Sequence, residues 1–381
     1  MTGREKIEAA LSREGTPEIP AVICYEDLFQ RDHWDELTTC PWWYVNERDP
    51  ERQLEWRRDA IERIGQDWFE IVAGYTRSER ANLHLEGHGD EAFLIDRAGN
   101  VRQRLTRPHI GGWTVTGSPE SIHPARLAET PDEIDALLPP LPACDPAEIP
   151  CDGRGDLAAA LQRQFGSDRY PIYLVIGSPF WRLYHLWGFE GLMMMTASRP
   201  DLVQYGMQRF LERAVWQVRE AKALGAAGVW LEECFTDQIS PAAFQSLNAP
   251  VMGSLIEEVR GAGLASFYYY CGNPSDRLDL LLNLGADALA LEEGKKGWAI
   301  DIAEVAEYVQ GRCTLLGNLD AINLLPRASE EELRAEITRQ IAAGRRNGSR
   351  FIMSLGSPVT PGTSVEKVRL YCDLVHDLGT C

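Results

Sequence analysis

Short apolar runs of strand length recur along this chain, and segments with helical periodicity separate most of them. Apolar runs of this length, bounded by polar or turn-forming residues, are typical of buried strands. Strands that alternate with helices indicate a parallel sheet, and eight of them in one chain predict a closed (βα)8 barrel of the TIM type. The eight runs are residues 19–25, 68–73, 172–177, 228–232, 265–271, 287–291, 314–317 and 350–355.

The runs end in polar or charged residues, and this feature indicates where a site would lie. In a TIM barrel the active site is built at the carboxyl ends of the strands. We therefore expect the residues that end the runs to meet at one mouth, although they are far apart in sequence. These residues are Glu232, Glu233, Cys271, Glu292, Glu293, Asn318, Asp320 and Ser357.

The aromatic run that ends at Cys271 is the strongest candidate for a working strand. It is followed by Gly-Asn, so a stiff strand would deliver the thiol to a turn where the backbone opens. Cys271 is interpreted as a nucleophile, a metal ligand or a buried cysteine at a strand end. Side chains alternate along a strand, so Tyr269 shares a face with Cys271 and is our candidate general acid.

Two glutamate doublets end neighbouring runs, Glu232-Glu233 and Glu292-Glu293. Alternation places one carboxylate of each doublet inward and the other outward. Two inward carboxylates close together would raise one pKa and produce a general acid, or would bind a metal. Solvated pairs at strand ends are the alternative interpretation.

A segment rich in aromatic residues follows the first run, over residues 26–48. One interpretation is a lid packed on the barrel, because aromatic side chains often simply supply buried area. The other is that Arg31, His33, Trp34 and Trp42 wall a substrate pocket. Four further residues at strand ends are candidates for contact with substrate: Phe180, Trp181, Asn318 and Asp320. The last two are equally suited to brace the turn after the seventh run.

The helical period disappears after residue 76, and two short alternating runs flank residues 97–100, a β-hairpin signal. A proline-rich stretch over residues 137–150 is typical of a linker across the surface. We interpret residues 76–150 as an insertion and connector within a single barrel domain that spans residues 1–381.

The net charge of the chain indicates which classes of partner it can bind. Its formal net charge of −19 argues against nucleic acid and against an anionic membrane surface. A small molecule or another protein is the expected partner. The charged amphipathic start and the lack of about 18 consecutive apolar residues predict a cytoplasmic location. Nine cysteines without a CxxC pair indicate reduced thiols.

Five motifs, in this order and spacing, resemble the uroporphyrinogen decarboxylase superfamily, which also contains corrinoid-dependent methyltransferases. The resemblance covers roughly residues 170–381, and it implies a TIM barrel with an N-terminal extension and a homodimer. The motifs are Gly177-Ser-Pro-Phe180, Ile239-Ser-Pro-Ala-Ala-Phe244, Tyr269-Tyr-Cys-Gly-Asn273, Gly317-Asn-Leu-Asp320 and Ile352-Met-Ser-Leu-Gly-Ser-Pro358.

The chain departs from both branches of that superfamily. The decarboxylase branch carries an arginine-rich signature after the first strand, and here Arg31 is the nearby arginine suited to a bidentate carboxylate contact. The methyltransferase branch holds zinc through His-x-Cys and a later Cys. The corresponding positions here are Tyr269, Cys271 and Ser357, and tyrosine and serine are poor zinc ligands. The resemblance thus implies either no metal or a site that carboxylates complete.

For such a site the predicted ligands are Cys271, Glu233 and Glu293, and an oxygen-rich set would suit a harder divalent cation than zinc. The predicted catalytic residues are Tyr269, Cys271, Glu232 and Glu292. The predicted substrate contacts are Arg31, His33, Trp34, Trp42, Phe180, Trp181, Asn318, Asp320 and Ser357.

Three functions are compatible with these residues. The first is methyl transfer from a small methylated substrate to a corrinoid carried on a partner protein. The second is decarboxylation of a carboxylated substrate, which requires a cluster of arginines at the mouth. The third is a non-catalytic binding or sensing barrel, which predicts a pocket without turnover or bound metal. The first is our preferred hypothesis.

Overall fold

A computed structural model describes residues 1–88, 91–112, 121–138, 140–294 and 297–380. The strands are β1 (Trp68–Glu70), β2 (Leu83–His88), β3 (Glu91–Asp96), β4 (Val101–Leu105), β5 (Tyr170–Gly177), β6 (Gly228–Cys234), β7 (Ala265–Cys271), β8 (Ala288–Leu291), β9 (Thr314–Leu316) and β10 (Phe351–Ile352). Seven of these strands form one parallel sheet, in the order β1, β5, β6, β7, β8, β9, β10. The other three, β2 to β4, form a separate antiparallel sheet.

Helices follow the strands of the parallel sheet and pack against its outer face. No helix in the described ranges has the length and apolar character needed to cross a membrane. The α-helices are Gly3–Leu11, Glu26–Asp32, Trp34–Leu37, Pro50–Ile64, Arg77–Asn82, Pro131–Leu137, Ile149–Asp152, Asp156–Phe165, Pro179–Arg182, Tyr184–Ser198, Pro200–Leu224, Pro241–Ala243, Ala249–Gly261, Leu278–Asn283, Ile302–Val309, Glu330–Arg346 and Val365–Leu378. Single turns of other helix types occur at Trp42–Asn46, Pro146–Glu148, Thr236–Gln238 and Phe244–Asn248.

The first predicted strand, residues 19–25, differs from the other seven. It is extended but forms only an isolated parallel bridge, between Ala21 and Met353. The amide of Met353 donates to the carbonyl of Pro20 at 2.9 Å, and that of Val22 donates back to Met353 at 2.9 Å. On its other side the amide of Asp67 donates to the carbonyl of Ala21 at 2.8 Å. The segment therefore lies between β10 and β1, and the predicted (βα)8 barrel is confirmed.

Residues 19–25 and their contacts with β10 and β1 form what we call the seam of the barrel. Two consecutive side chains just before β1 complete it. The carboxylate of Asp67 accepts a hydrogen bond from the amide of Ala21 at 2.7 Å, and the side-chain amide of Gln66 accepts one from Ile23 at 3.0 Å. These side chains satisfy backbone donors that a regular neighbouring strand would otherwise pair. Asp67 also contacts Nε2 of His376 at 2.8 Å.

The N-terminal helix Gly3–Leu11 covers the end of the barrel opposite the predicted mouth. Its residues Ile7 and Ala10 are fully buried against apolar side chains of the barrel interior. The carbonyl of Ala10 accepts a hydrogen bond from the Thr314 hydroxyl at the start of β9, at 2.7 Å. Gly3 allows this close packing, because a Cβ there would lie 2.5 Å from Oδ1 of Asp67. One end of the barrel is thus closed by apolar packing.

The predicted hairpin around residues 97–100 is present as β3 and β4, and β2 adds a third strand that the sequence pattern did not predict. This small sheet packs on the aromatic segment over residues 26–48. Trp34, Trp42, Trp43, Trp56, Leu85 and Ala92 form one buried apolar cluster there. Residues 89–90, 113–120 and 139 of the predicted insertion lie outside the described residues.

Glu233 is a buried carboxylate on the outer face of the barrel, and three neighbouring side chains donate hydrogen bonds to it. Its carboxylate accepts hydrogen bonds from the hydroxyl of Ser178 at 2.6 Å, the amide of Asn248 at 2.7 Å and the hydroxyl of Tyr268 at 3.3 Å. The side chain is fully buried, and this burial raises its pKa from 4.5 to about 7. Glu233 therefore packs between β6, β7 and the surrounding helices.

Asp67→Ala is expected to lower the free energy of unfolding by about 3 kcal/mol, because it removes a buried acceptor shared by several donors. The measurement is the midpoint of urea unfolding. Asp373→Ala is the control, since Asp373 is half exposed and pairs with exposed Arg369 on the helix surface; it should change stability by about 0.5 kcal/mol or less. Equal effects of the two substitutions would contradict the role of Asp67 in the seam.

Glu233→Gln is expected to alter how stability depends on pH. The folded pKa of Glu233 lies above its ordinary value of 4.5, so its favourable contribution is present below pH 4.5 and is lost as the pH rises towards about 7. The variant, which mimics the protonated form, should therefore gain stability relative to wild type across that window, by roughly 3 kcal/mol in total. Unfolding at pH 4.5 and pH 8 measures this difference. A difference that does not change with pH would contradict it, and Glu331→Gln, at an exposed position, is the control.

Candidate functional site

The inward faces of β6 and β7 carry the polar residues that define the site. Trp230 and Cys234 on β6, and Tyr269 and Cys271 on β7, belong to one cluster inside the barrel. The two strands pair in register, so Cys234 lies directly beside Cys271 and Glu232 beside Tyr269. Because side chains alternate along each strand, Glu232, Cys234 and Cys271 lie together at the mouth.

Glu232, Cys234 and Cys271 form what we call the Glu–Cys–Cys group. One ligand atom from each residue lies within 4.8 Å of the other two. The Cys234 thiol lies 3.6 Å and the Cys271 thiol 4.0 Å from Oε1 of Glu232. In the described part of the chain, no other such group of histidine, cysteine or acidic side chains occurs.

Tyr25 covers this group from the end of the extended segment. Its hydroxyl donates to Oε1 of Glu232 at 3.1 Å and lies 3.8 Å from Sγ of Cys271. Its ring packs edge-on against Tyr269, with the ring centroids 5.8 Å apart. The backbone of Tyr25 is left-handed, with φ 55° and ψ 45°, a conformation that costs free energy in a residue other than glycine. This conformation turns the chain into the following helix while the phenol stays at the mouth.

Burial sets the electrostatics of the group. It raises the pKa of Glu232 from 4.5 to about 7, and Asp27 adds to this rise while Arg182 opposes it. Burial also raises the pKa of the Cys271 thiol. The pKa of Cys234 lies well above its ordinary value, chiefly because of its hydrogen bond with Cys271. A divalent cation in the group would offset these costs, since it stabilises the thiolate and carboxylate forms.

The donor atoms suit zinc. Zinc takes thiolate, imidazole and carboxylate ligands, and its catalytic sites combine three protein ligands with one open position. Two thiols and one carboxylate that face the barrel interior meet that requirement. The Glu–Cys–Cys group is therefore the part of the described chain that could hold a metal.

The predicted ligands Glu233 and Glu293 lie outside this group. Glu233 is on the outer face of β6, held by Ser178 and Asn248. Glu293 accepts a hydrogen bond from the Ser357 hydroxyl. The structure instead brings Cys234, which the sequence prediction did not include, next to Cys271.

Tyr269 lies on the same face as Cys271, as alternation predicts. Its phenol is buried and donates to the carbonyl of Gly356 at 2.8 Å. Burial raises its pKa well above the ordinary value. The proton of Tyr269 is therefore engaged by the backbone in this arrangement, and the phenol of Tyr25 is the one that contacts the Glu–Cys–Cys group.

Three further predicted residues lie beyond β8 and β9. Glu292 is buried where β8 ends, and its carbonyl accepts a hydrogen bond from the Asn318 side chain at 3.1 Å. Asn318 also donates to the carbonyl of Ile300 at 2.9 Å. Asp320 accepts hydrogen bonds from the amides of Ile322 and Asn323, at 2.8 and 2.7 Å. These contacts show Asn318 and Asp320 bracing loops at the mouth.

The structure brings three of the four predicted residues of the aromatic segment to one cavity. Arg31, Trp34 and Trp42 line a space of about 120 Å³ together with the carboxylates of Asp27 and Glu70. Arg31 forms a close ion pair with Asp32, at 2.8 Å.

His33 and Trp34 are both tied into the packed segment. His33 is not part of the cavity lining; it packs on the ring of Phe29 and contacts Glu36 at 2.8 Å. The indole of Trp34 donates to the carbonyl of Cys40 at 2.7 Å. These contacts agree with the interpretation of the segment as a packed lid.

The loop after β5 places Phe180 and Trp181 differently. Phe180 is fully buried, whereas Trp181 is partly exposed and carries the guanidinium of Arg182 over its ring, 5.3 Å from the centroid. The amide of Trp181 donates to the Ser178 hydroxyl at 3.2 Å, which starts the short helix Pro179–Arg182. Of the two, only Trp181 is accessible.

Two residues of the site were missed by sequence reasoning. Cys234 had a readable signal, because it lies two residues after Glu232 and so shares its face, one strand before Cys271. Tyr25 had a weaker one, since it ends the first predicted run. Its left-handed backbone and its reach to Glu232 have no sequence signature.

Comparison with known proteins agrees with this architecture. The model of the family Uroporphyrinogen decarboxylase (URO-D) matches residues 118–378. A uroporphyrinogen decarboxylase of Anaeromyxobacter sp. (strain Fw109-5) is 28% identical over 266 residues, which is 68% of this chain and 71% of the relative. One of Pseudomonas putida (strain W619) is 25% identical over 303 residues, covering 76% of this chain and 80% of the relative.

A methyltransferase from Methanosarcina mazei has the same fold, with a TM-score of 0.66, 17% identity and 99% of each chain covered. The family match extends over more than half of the chain and includes β5 to β10, the strands that carry the Glu–Cys–Cys group. The chain therefore belongs to the uroporphyrinogen decarboxylase (URO-D) family.

Proposed function

We propose that this protein transfers a methyl group from a small methylated substrate to a corrinoid carried on a separate protein. The observation that carries the proposal is the Glu–Cys–Cys group at the mouth of the barrel. A cluster of two thiols and a carboxylate has no evident role in stabilising the barrel, since burial raises the pKa of Glu232 and Cys271 and the hydrogen bond with Cys271 raises that of Cys234. It is suited to holding zinc.

The ligands of the proposed zinc ion are Glu232, Cys234 and Cys271. This set replaces the pattern of the methyltransferase branch, because Tyr269 and Ser357 occupy two of its positions and both bond to other groups. Bound zinc would supply a Lewis acid that draws electron density from the heteroatom of the substrate. Tyr25 lies beside these residues at the barrel mouth.

The methyl carbon leaves nitrogen, oxygen or sulfur without the bonding electron pair, and the reduced corrinoid supplies the pair for the new bond. The heteroatom keeps its pair and takes up one proton, which comes from water. The Tyr25 hydroxyl, 3.1 Å from Glu232, is placed to donate a hydrogen bond to that heteroatom. Buried Glu292 influences Cys271 electrostatically and completes the acidic wall of the mouth.

Decarboxylation is the alternative, and the names of the curated relatives favour it. That reaction needs a cationic clamp for a substrate with several carboxylates. In the described residues the immediate surroundings of the Glu–Cys–Cys group are mainly acidic, with Asp27, Glu232 and Glu292 close enough to influence it, and Arg182 is the arginine that acts on Glu232. Arg31 is neutralised by Asp32. A non-catalytic sensing barrel, the third possibility, would leave the Glu–Cys–Cys group without metal.

Metal analysis of the purified protein by plasma mass spectrometry should find about one zinc ion per chain. Cys271→Ala, Cys234→Ala and Glu232→Gln should each lose most of this zinc, because three protein ligands are the minimum for a stable catalytic site. Cys144→Ala should retain it, since Cys144 lies outside the barrel mouth and contacts Arg154. Zinc-free wild-type protein, or variants that keep their zinc, would overturn the proposed site.

Methyl transfer can be followed by the absorbance change of free cob(I)alamin in the presence of trimethylamine, methanol, anisole or dimethyl sulfide. We expect wild-type protein to methylate it with at least one of these donors and Cys271→Ala to be inactive. Tyr25→Phe should lower kcat by roughly 100-fold while the zinc content is unchanged. Tyr308→Phe, an exposed position, is the control. An unchanged rate for Tyr25→Phe would remove Tyr25 from the mechanism.

A further inference from the structure

A second, larger cavity lies beside the end of β5, outside the Glu–Cys–Cys group. Its volume is about 540 Å³, within the range of sites that enclose small molecules. The walls come from the helices Tyr184–Ser198 and Pro200–Leu224, the loop after β5 and the segment around residue 138. The lining residues are Pro124, Arg126, Leu137, Leu138, Gly177, Arg182, His185, Leu186, Phe210, Arg213, Ala214 and Gln217.

The charge of this cavity is opposite to that of the chain as a whole. The protein has 57 acidic against 38 basic residues, yet the described lining contains three arginines and no carboxylate. Arg126 at the rim is held by Glu133, and Arg213 donates to the carbonyl of Arg209 at 2.9 Å. The cavity is therefore built to accept an anion.

Arg182 is the arginine of this cavity whose guanidinium has no ion-pair or hydrogen-bond partner among the described residues. The guanidinium lies over the ring of Trp181, 5.3 Å from the centroid. Partial burial lowers its pKa, which reflects the cost of removing the charge from water. A desolvated guanidinium without an anionic partner is costly, and a bidentate carboxylate is the partner that its fork fits best.

Gly177 shows that the position of Arg182 is built into the barrel. A Cβ at Gly177 would lie 2.5 Å from Nε of Arg182, so only glycine allows the guanidinium to pack against the end of β5. Gly177 is the register partner of Glu232 on β6. The cavity thus borders the end of β5, the strand next to β6, and the charge of Arg182 acts on Glu232.

The rest of the wall is apolar. Leu138, Leu186, Phe210 and Ala214 face the cavity between its charged groups. Partial burial and nearby Arg182 lower the pKa of His185, so the imidazole contributes hydrogen bonding and Arg182 carries the charge. A ligand that satisfies both features has an apolar body and one anionic group.

We propose that this cavity binds a monocarboxylate with an apolar or aromatic body, with Arg182 as its anchor. Its assignment as the substrate subsite, where a methylated carboxylate reaches the Glu–Cys–Cys group, rests on the proposed function. Binding of the monocarboxylate does not rest on the proposed function. The binding proposal and the proposed function can fail separately, because binding requires neither zinc nor turnover.

The test is calorimetric titration of purified protein with benzoate, benzyl alcohol, benzylamine and phenylphosphonate. Benzoate should bind to wild type and equally to Cys271→Ala, which lacks a metal ligand but keeps the cavity. Arg182→Met should weaken benzoate roughly 10- to 100-fold, and Arg182→Lys by less, because charge-assisted hydrogen bonds contribute on that order. Arg199→Met, an exposed arginine paired with Asp201, should leave the affinity unchanged.

The proposal would be overturned by no benzoate binding, by equal affinity for benzyl alcohol, or by unchanged benzoate affinity in Arg182→Met. Tighter binding of phenylphosphonate than of benzoate would assign the cavity to phosphate compounds and reject the carboxylate. If Arg182→Met does not fold, as judged by circular dichroism, Arg182→Lys and the four ligands on wild type still decide the outcome.

Discussion

The buried carboxylate of Asp67 holds the seam on which the barrel depends. The segment over residues 19–25 forms few regular strand contacts, so the side chains of Gln66 and Asp67 take over the pairing that a neighbouring backbone usually provides. This closure carries Tyr25 to the mouth, where its phenol reaches Glu232. Without the seam, the Glu–Cys–Cys group would lose one of its walls. The least regular segment of the barrel wall, residues 19–25, therefore contributes both to closure of the fold and to the candidate site.

A second constraint is the number of carboxylates that the fold removes from water. Burial raises the pKa of Glu26, Glu70, Glu232 and Glu233 to about 7. Glu26 and Glu233 are satisfied by neutral amide or hydroxyl donors, which suits a structural role. Glu232 differs because its neighbours are two thiols and a phenol, a set that favours a bound cation. Buried glutamates thus have a structural role at positions 26 and 233, whereas Glu232 is suited to binding a cation.

Much of this arrangement could be predicted from sequence, because it follows from periodicity. Alternation along the strands correctly placed Tyr269 and Cys271 on one face, and strand–helix alternation correctly predicted the barrel. The irregular pairing of residues 19–25 could not be predicted, since it depends on side chains from another segment.

The proximity of Cys234 to Cys271 depends on the register between β6 and β7, which a single sequence does not state. The same limit applies to Arg182, whose missing partner is visible only once the surrounding helices are in place. Local pattern predicts the face of a side chain, whereas its neighbours come from tertiary structure.

The seam also links residues near the two ends of the described chain. The amide of Ile19 donates to the carbonyl of Gly379 at 3.1 Å, and the Tyr371 hydroxyl donates to the carbonyl of Val22 at 3.2 Å. During synthesis on the ribosome, residues 19–25 emerge long before these partners exist. The barrel must therefore close after translation of this region, and until then the edges of β1 and β10 are open to pairing with other chains.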